Sequence, residues 1–489
     1  MILVAATGPI GCGKTFLLSR LAQWAKEQNK TVDGFLAIAH HRRTSGRGAD
    51  GYVLQWISSG EEMLFVRRDD SRCPPYEINR ETFEKVALWA TEIAKQPKRS
   101  LLILDEFGPF EAQGSGHMRY WQSLRAANPE VVVISVRDTL VENIQSRLGL
   151  PFDAIIDATS PKALHRLQAV VDQHPDWIRA GQFGATAGGF EATVGSALHG
   201  ANVPMRGLFL STVQSLLMMY AGDRMRVRSR VVWVPFISAG LKALSPSGSR
   251  LRPMLAISIQ GILFNLATSI LGWNVGGIFI GGWLVGAWAA SQGILLQYLF
   301  IGAGYFQAID TVIRWLVERL QMTLPGVTML ILLWISFWGF ISAVVTLFAW
   351  LRRHNLPNRL SVLLSKGTHG MVWNADKPTF ASAVRHGVHD LVRPCFWVPI
   401  LIVATIVLAA GSSWEGVMWI VVRAVSVGWV FFSVVRMINP LTLVEWLRRR
   451  GLWGPALAFS RAFRRQSEKF PFEKENDIAT QDNHPPPGA

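Results

Sequence analysis

The chain has 489 residues, half of them apolar and only 17% charged, and carries a formal net charge of +15. A charged share well under the ~25% usual for soluble domains argues against a wholly soluble protein. Residues 1–180 balance 22 Lys/Arg against 21 Asp/Glu, whereas 181–489 carry 27 against 13, and that excess lies in short clusters between apolar runs. The pattern fits loops of a membrane protein rather than a nucleic-acid surface.

Residues 1–178 are predicted to form an α/β domain. ILVAAT is a short apolar strand ending at a Gly-rich turn, and TFLLSRLAQWAKEQ follows with helical spacing. TVDGFLAIA and GYVLQWI are predicted strands, 79–96 a helix, and SLLILDE, VVVISV and FDAIIDA three buried strands. Strand–helix alternation with β-branched strands implies a mostly parallel sheet with helices on both faces. The start, MILVAATG, lacks a basic n-region, so no cleavable signal peptide is expected. Cys12, Cys73 and Cys395 are odd in number and widely spaced, giving neither a disulfide framework nor a metal motif.

From about residue 179 Gly, Ala, Leu and Trp dominate. The 57 residues between Arg252 and Asp310 hold no Asp, Glu, Lys or Arg, nor do the 32 from Leu320 to Leu351 or the 21 from Pro394 to Trp414. A span needs about 20 residues, so an all-α polytopic transmembrane domain is expected. Its parts are 179–310, then further helices with a basic loop over 311–440, then an amphipathic basic segment and polar tail over 441–489. Six to eight spans fit. Eight place the basic clusters at 224–230, 352–366 and 448–465 on the cytoplasmic side, with both termini and the N-terminal domain.

Gly8-Pro9-Ile10-Gly11-Cys12-Gly13-Lys14-Thr15 matches the phosphate-binding loop in full, placed between a strand and a helix. Its glycines let backbone N–H groups face phosphate, Lys14 would reach the β- and γ-phosphates, and Thr15 would ligate Mg²⁺. Leu101–Leu104 is an apolar strand that delivers Asp105 to the metal and Glu106 to the attacking water. ATP, GTP or another nucleoside triphosphate is the expected substrate. Arg43 and Arg47, in HHRRTSGRGADG, read equally as a clamp on the phosphates or as a solvated basic loop. No LSGGQ-like signature occurs, which argues against an ABC-type ATPase.

The motifs of residues 2–170 resemble the nucleoside-triphosphatase family first known from thermophiles. They are GPIGCGKT, VDGFLA (Val32–Ala37), Arg43-x-x-Gly46-Arg47, Gly51-Tyr52, Gly60-Glu61, Tyr76-x-x-Asn79 and DEFGPFE, which ends in Glu111. The resemblance implies Mg²⁺-dependent hydrolysis of several triphosphates with little base preference. Val136-Arg137 stands where many relatives have His-Arg or Arg-Arg, and Arg137 is expected to face the phosphates.

In the apolar half, Glu191 and His199 are eight residues apart, which places them on one helical face. With Gln260 and Asn265 they are candidates for a small-solute site, against interhelical hydrogen bonding as the alternative. Lys242, near a span end, and Arg423, near the middle of the last span, are read as interhelical hydrogen-bonding or snorkelling side chains, with a polar cavity as the alternative. The Gly-rich arrangement of 181–310 loosely resembles the substrate-binding components of energy-coupling-factor transporters. The expected protein is thus a membrane nucleoside triphosphatase that moves a solute. Alternatives are a tethered triphosphatase or kinase, or a nucleotide-gated regulator. One phosphate loop per chain suggests a homodimer or partner transporter subunits.

Overall fold

The computed structural model describes residues 1–42, 49–69, 76–95, 99–195, 205–243, 251–320, 326–353, 394–409, 413–437 and 440–467, with positions 71, 198, 385, 388 and 411. They divide into two compact units, Met1–Pro175 with Arg450–Leu457 and Asp176–Arg449 with Ala458–Ala489.

The first unit is built on one eight-stranded sheet, in the order β5-β4-β3-β2-β6-β7-β1-β8. Its strands are β1 (Ile2–Thr7), β2 (Val32–Arg42), β3 (Ala49–Trp56), β4 (Glu62–Arg68), β5 (Tyr76–Ile78), β6 (Leu101–Phe107), β7 (Val131–Val136) and β8 (Ala154–Asp157). The five strands β2, β6, β7, β1 and β8 pair in parallel. The near-continuous apolar runs of β1, β6 and β7 follow from burial on both faces. β3, β4 and β5 extend this core antiparallel. Helix α1 (Lys14–Glu27) packs on β2, β6 and β7, and α2 (Arg80–Ile93) on β4. Three shorter helices complete the cover: α3 (Pro109–Ala112), α4 (Trp121–Ala126) and α5 (Val141–Leu148).

Several motif residues serve this framework. Gly34 has φ +118°, and a Cβ there would stand 1.9 Å from the carbonyl oxygen of Ile103. Only glycine lets β2 approach β6 so closely. Asn79 caps α2 by accepting the Thr82 N–H at 3.2 Å.

Helix α6 (Ala163–Phe190) contains Pro175, after which the division between units falls. A π-helical turn, Glu191–Gly195, continues it. The second unit then adds α7 (Arg206–Arg224), α8 (Trp233–Ala243), α9 (Leu251–Leu271), α10 (Val275–Ile301), α11 (Gly304–Leu320) and α12 (Val327–Leu351). Helices α13 (Pro394–Ala409), α14 (Trp414–Met437), α15 (Pro440–Arg449) and α16 (Trp453–Ser467) follow.

Among the described residues three segments are long and apolar enough to cross a membrane: Pro253–Leu271, Val275–Ile301 and Thr328–Leu351. Val275–Ile301 is one continuous 27-residue helix. Helix α8 has 11 residues, about 16 Å, too short for a ~30 Å hydrocarbon core. On α9 the large apolar side chains Ile262, Leu266 and Ile270 are 47–71% exposed, while Gln260 and Thr268 are buried. This reverses the pattern of a soluble helix and suits a lipid surround.

Small residues set the helix spacing here. Gly286 stands so close to α12 that a Cβ would lie 2.5 Å from the Trp338 carbonyl oxygen. Ser215 on α7 and Thr346 on α12 share a buried hydroxyl–hydroxyl bond of 2.6 Å. At the start of this unit Asp176 is buried and accepts four donors: the backbone N–H groups of Arg226 (3.0 Å) and Val227 (2.9 Å), and the guanidinia of Arg179 and Arg230 (3.3 Å each).

Candidate functional site

The site gathers at the C-terminal ends of β1, β6 and β7, where parallel sheets place their ligand crevices. After β1, glycines 8, 11 and 13 have φ of +153°, +78° and +93°. These values suit glycine and let the loop turn sharply into α1. Gly13 caps α1, so Lys14 and Thr15 form its first turn, where N–H groups lack intrahelical acceptors and the helix end favours anions. Lys14 Nζ donates to the carbonyls of Gly8 and Pro9, both at 2.8 Å, which holds the ammonium over the loop. Pro9, Ile10 and Gly11 lie on the exposed rim, and Cys12 is half-buried.

Thr15 lies between the Ala37 carbonyl, which accepts from its hydroxyl at 3.5 Å, and the carboxylate of Asp105. Asp105 is fully buried and accepts from the Ala37 N–H (3.1 Å), the Glu106 N–H (3.0 Å) and the Ser135 hydroxyl. Burial pushes its carboxyl up, opposed by those hydrogen bonds.

Glu106 departs from strand geometry. The β6–β7 register shifts between Leu104 and Phe107, and Glu106 takes φ +63°, left-handed backbone that a non-glycine residue rarely adopts. Its N–H is pinned by Asp105 and by the Ser135 hydroxyl at 2.8 Å. The bulge aims the side chain away from the ladder, toward Arg137, whose Nη2 lies 3.9 Å from Oε1. Burial, then the neighbouring Asp105 charge, pushes the Glu106 carboxyl up to about 7, with Arg137 and Lys14 pulling the other way. The side chain is 30% exposed, so water reaches it.

Glu111 is buried and turned inward. It accepts the Gly108 N–H at 2.7 Å and the His117 N–H at 3.0 Å, and so shapes the DEFGPFE turn without entering the crevice. His117 is fully buried between Phe65 and Phe107, and burial brings its imidazole down to about 3, hence neutral.

Lys14, Thr15, Asp105, Glu106 and Arg137 are therefore brought together. Arg43 and Arg47 lie outside the described residues. Ser135 was missed by sequence reasoning, although it is the one polar residue in VVVISV. Among the described residues no group of three His, Cys, Asp or Glu side chains could hold a metal. The Thr15 hydroxyl and Asp105 carboxylate are hard oxygen donors, a set that fits Mg²⁺ bound with substrate phosphates rather than caged by protein alone.

In the second unit Glu191 is buried, and its partner is Lys242 on α8, Nζ to Oε1 at 4.0 Å, with Nζ also donating to the Glu191 carbonyl at 3.4 Å. His199 lies outside the described residues. Gln260 is buried on α9 and Asn265 is half-buried; the neighbouring Gly261 packs on Pro235, near the opposite end of α8 from Lys242.

No curated protein and no solved structure matches the chain. Residues 3–152 match the protein-family model described as NTPase, and the N-terminal unit has the phosphate-binding loop and mostly parallel sheet that this likeness implies.

Proposed function

We propose that the protein is a membrane-integral, Mg²⁺-dependent nucleoside triphosphatase that converts a nucleoside triphosphate to diphosphate and phosphate. The observation carrying this reading is the placement of Glu106, which a bulge turns out of the strand beside Asp105 and Arg137. The glycine loop and Lys14 hold the β- and γ-phosphates. Thr15 and Asp105 would hold Mg²⁺, which when bound supplies charge neutralisation on the phosphate oxygens. Glu106 takes the proton of the water that attacks the γ-phosphorus as the bond to the β-phosphate oxygen breaks. Arg137 offsets charge growing on the transferred group.

The apolar helices support a membrane location, and the basic clusters between the apolar runs support the inner membrane with both termini cytoplasmic if further spans bring the count to eight. A tether needs one or two spans, so the larger helical unit favours coupling of hydrolysis to movement of a small solute. With one phosphate loop per chain, a second copy or partner subunits would complete such a machine. The second reading is a kinase or a tethered triphosphatase, favoured by the pairing of Glu191 with Lys242, which leaves that carboxylate with a charge partner among the described residues.

The test is Glu106→Gln in proteoliposomes. Phosphate release falls about 10²- to 10⁴-fold for a lost general base, and solute accumulation stops with it. Unchanged solute flux overturns the coupling. Phosphate appearing on an acceptor, with little released, identifies a kinase.

A further inference from the structure

A cleft of about 270 Å³ opens in the second unit beside the C-terminal end of α10, bounded by α11, α13 and α14. One wall is apolar, where Ile301, Val407 and Ile420 join a hydrophobic cluster. Gln307, Trp419 and Arg423 supply its polar lining, and among the described residues no acidic side chain lines it.

Arg423 lies in the interior of α14, a 24-residue helix with Glu415 in its first turn. The sequence suggested interhelical hydrogen bonding or snorkelling. The structure places its guanidinium against Gly302, which closes α10 with φ +82°: a Cβ there would stand 2.7 Å from Nη1. The guanidinium therefore lies beside the C-terminal end of α10. A helix terminus offers about half an elementary negative charge, so the cleft keeps a net positive potential. Glu191 and Lys242 contrast with this, since they neutralise each other. A cation among apolar helices is costly unless it has a partner.

We propose that this cleft binds a small amphipathic oxyanion, a carboxylate or phosphate on a short apolar body. Arg423 is its charge partner and Gln307 a hydrogen-bond donor, while Trp419, Ile420 and Val407 hold the body. Guanidinium matches carboxylate and phosphate through paired N–H donors. The volume sits just under the ~300 Å³ at which pockets for larger ligands begin, which suits a short-chain acid or a lipid headgroup. The site stands independently of the nucleotide reading, because none of its lining residues belongs to the phosphate-binding site.

The full-length protein in phosphatidylcholine nanodiscs is titrated calorimetrically with octanoate and, separately, with octanol. A parallel set of nanodiscs contains phosphatidylglycerol, with thermal unfolding as the readout. Wild type is expected to bind octanoate saturably and at least about tenfold more tightly than octanol, and Arg423→Gln to lose about tenfold or more. Arg423→Lys keeps the charge but not the paired donors, and its affinity is expected to fall between wild type and Arg423→Gln. Stabilisation by phosphatidylglycerol alone, lost in Arg423→Gln, identifies a lipid headgroup as the occupant. Equal affinity for octanoate and octanol with no phosphatidylglycerol effect overturns the proposal, as does a response to either anion that Arg423→Gln leaves unchanged. The octanol comparison decides the question even where the glutamine variant does not fold.

Discussion

Arg137 Nη2 lies 3.9 Å from Glu106 Oε1, joining the ends of two neighbouring parallel strands. The guanidinium favours the carboxylate form of Glu106, while burial and Asp105 favour the protonated form and bring it to about 7. A general base must be unprotonated, so kcat/KM should rise with pH through about 7 and level above it. Arg137→Gln removes the favourable charge and should move the rising limb to higher pH. A limb that stays in place in that variant would remove Glu106 as the titrating base.

Glu111 separates architecture from chemistry. Its two bonds are to backbone N–H groups of its own turn. Glu111→Ala leaves buried donors unpaired, a loss of about 1–3 kcal/mol each, and should lower the thermal midpoint markedly. Glu111→Gln keeps one acceptor and should retain turnover within about tenfold under conditions where it is folded, by the same hydrogen-bond scale. A glutamine variant that is stable but inactive would give Glu111 a chemical role instead.

Gly34→Ala meets both a backbone clash with Ile103 and a φ of +118°. Strain of about 1–3 kcal/mol from the dihedral alone, with displacement of β2 from β6, should leave little folded protein. The control is Gly60→Ala, which has φ +76° and open space around it. It should cost only the dihedral strain. Thermal unfolding of the two variants ranks them.

The Glu191–Lys242 pair is buried. Removing one partner strands the other charge, which typically costs about 3–5 kcal/mol. Glu191→Gln and Lys242→Met should each be strongly destabilising, and the double variant less so than their sum. Additive effects in a double-mutant cycle would show that the two charges do not interact.

Much of the first unit was legible because its signals are local. The phosphate loop is contiguous, and β1, β6 and β7 are short apolar runs with β-branched residues. What escaped was decided across the sheet. β4 and β5 are partly exposed strands at its antiparallel edge, and EEMLFVRR shows neither a buried run nor clean alternation. The bulge at Glu106 depends on Ser135, 29 residues further on. Asn79, Gly34 and Glu111 belong to the motifs that carry the family resemblance, and a cap, a close approach and a turn account for them. In the second unit Lys242 reaches Glu191 across 51 residues, a pairing no helical spacing announces.

The four donors gathered by Asp176 change what a count of arginines means. Arg230 belongs to that carboxylate, and Arg353 to Asp223 at 3.3 Å. A nascent chain read one residue at a time presents every guanidinium to the insertion machinery, whereas the finished fold shows the lipid phosphates a weaker field. Under the proposed membrane placement, orientation would be fixed during synthesis and then held by packing more than by the charges that chose it.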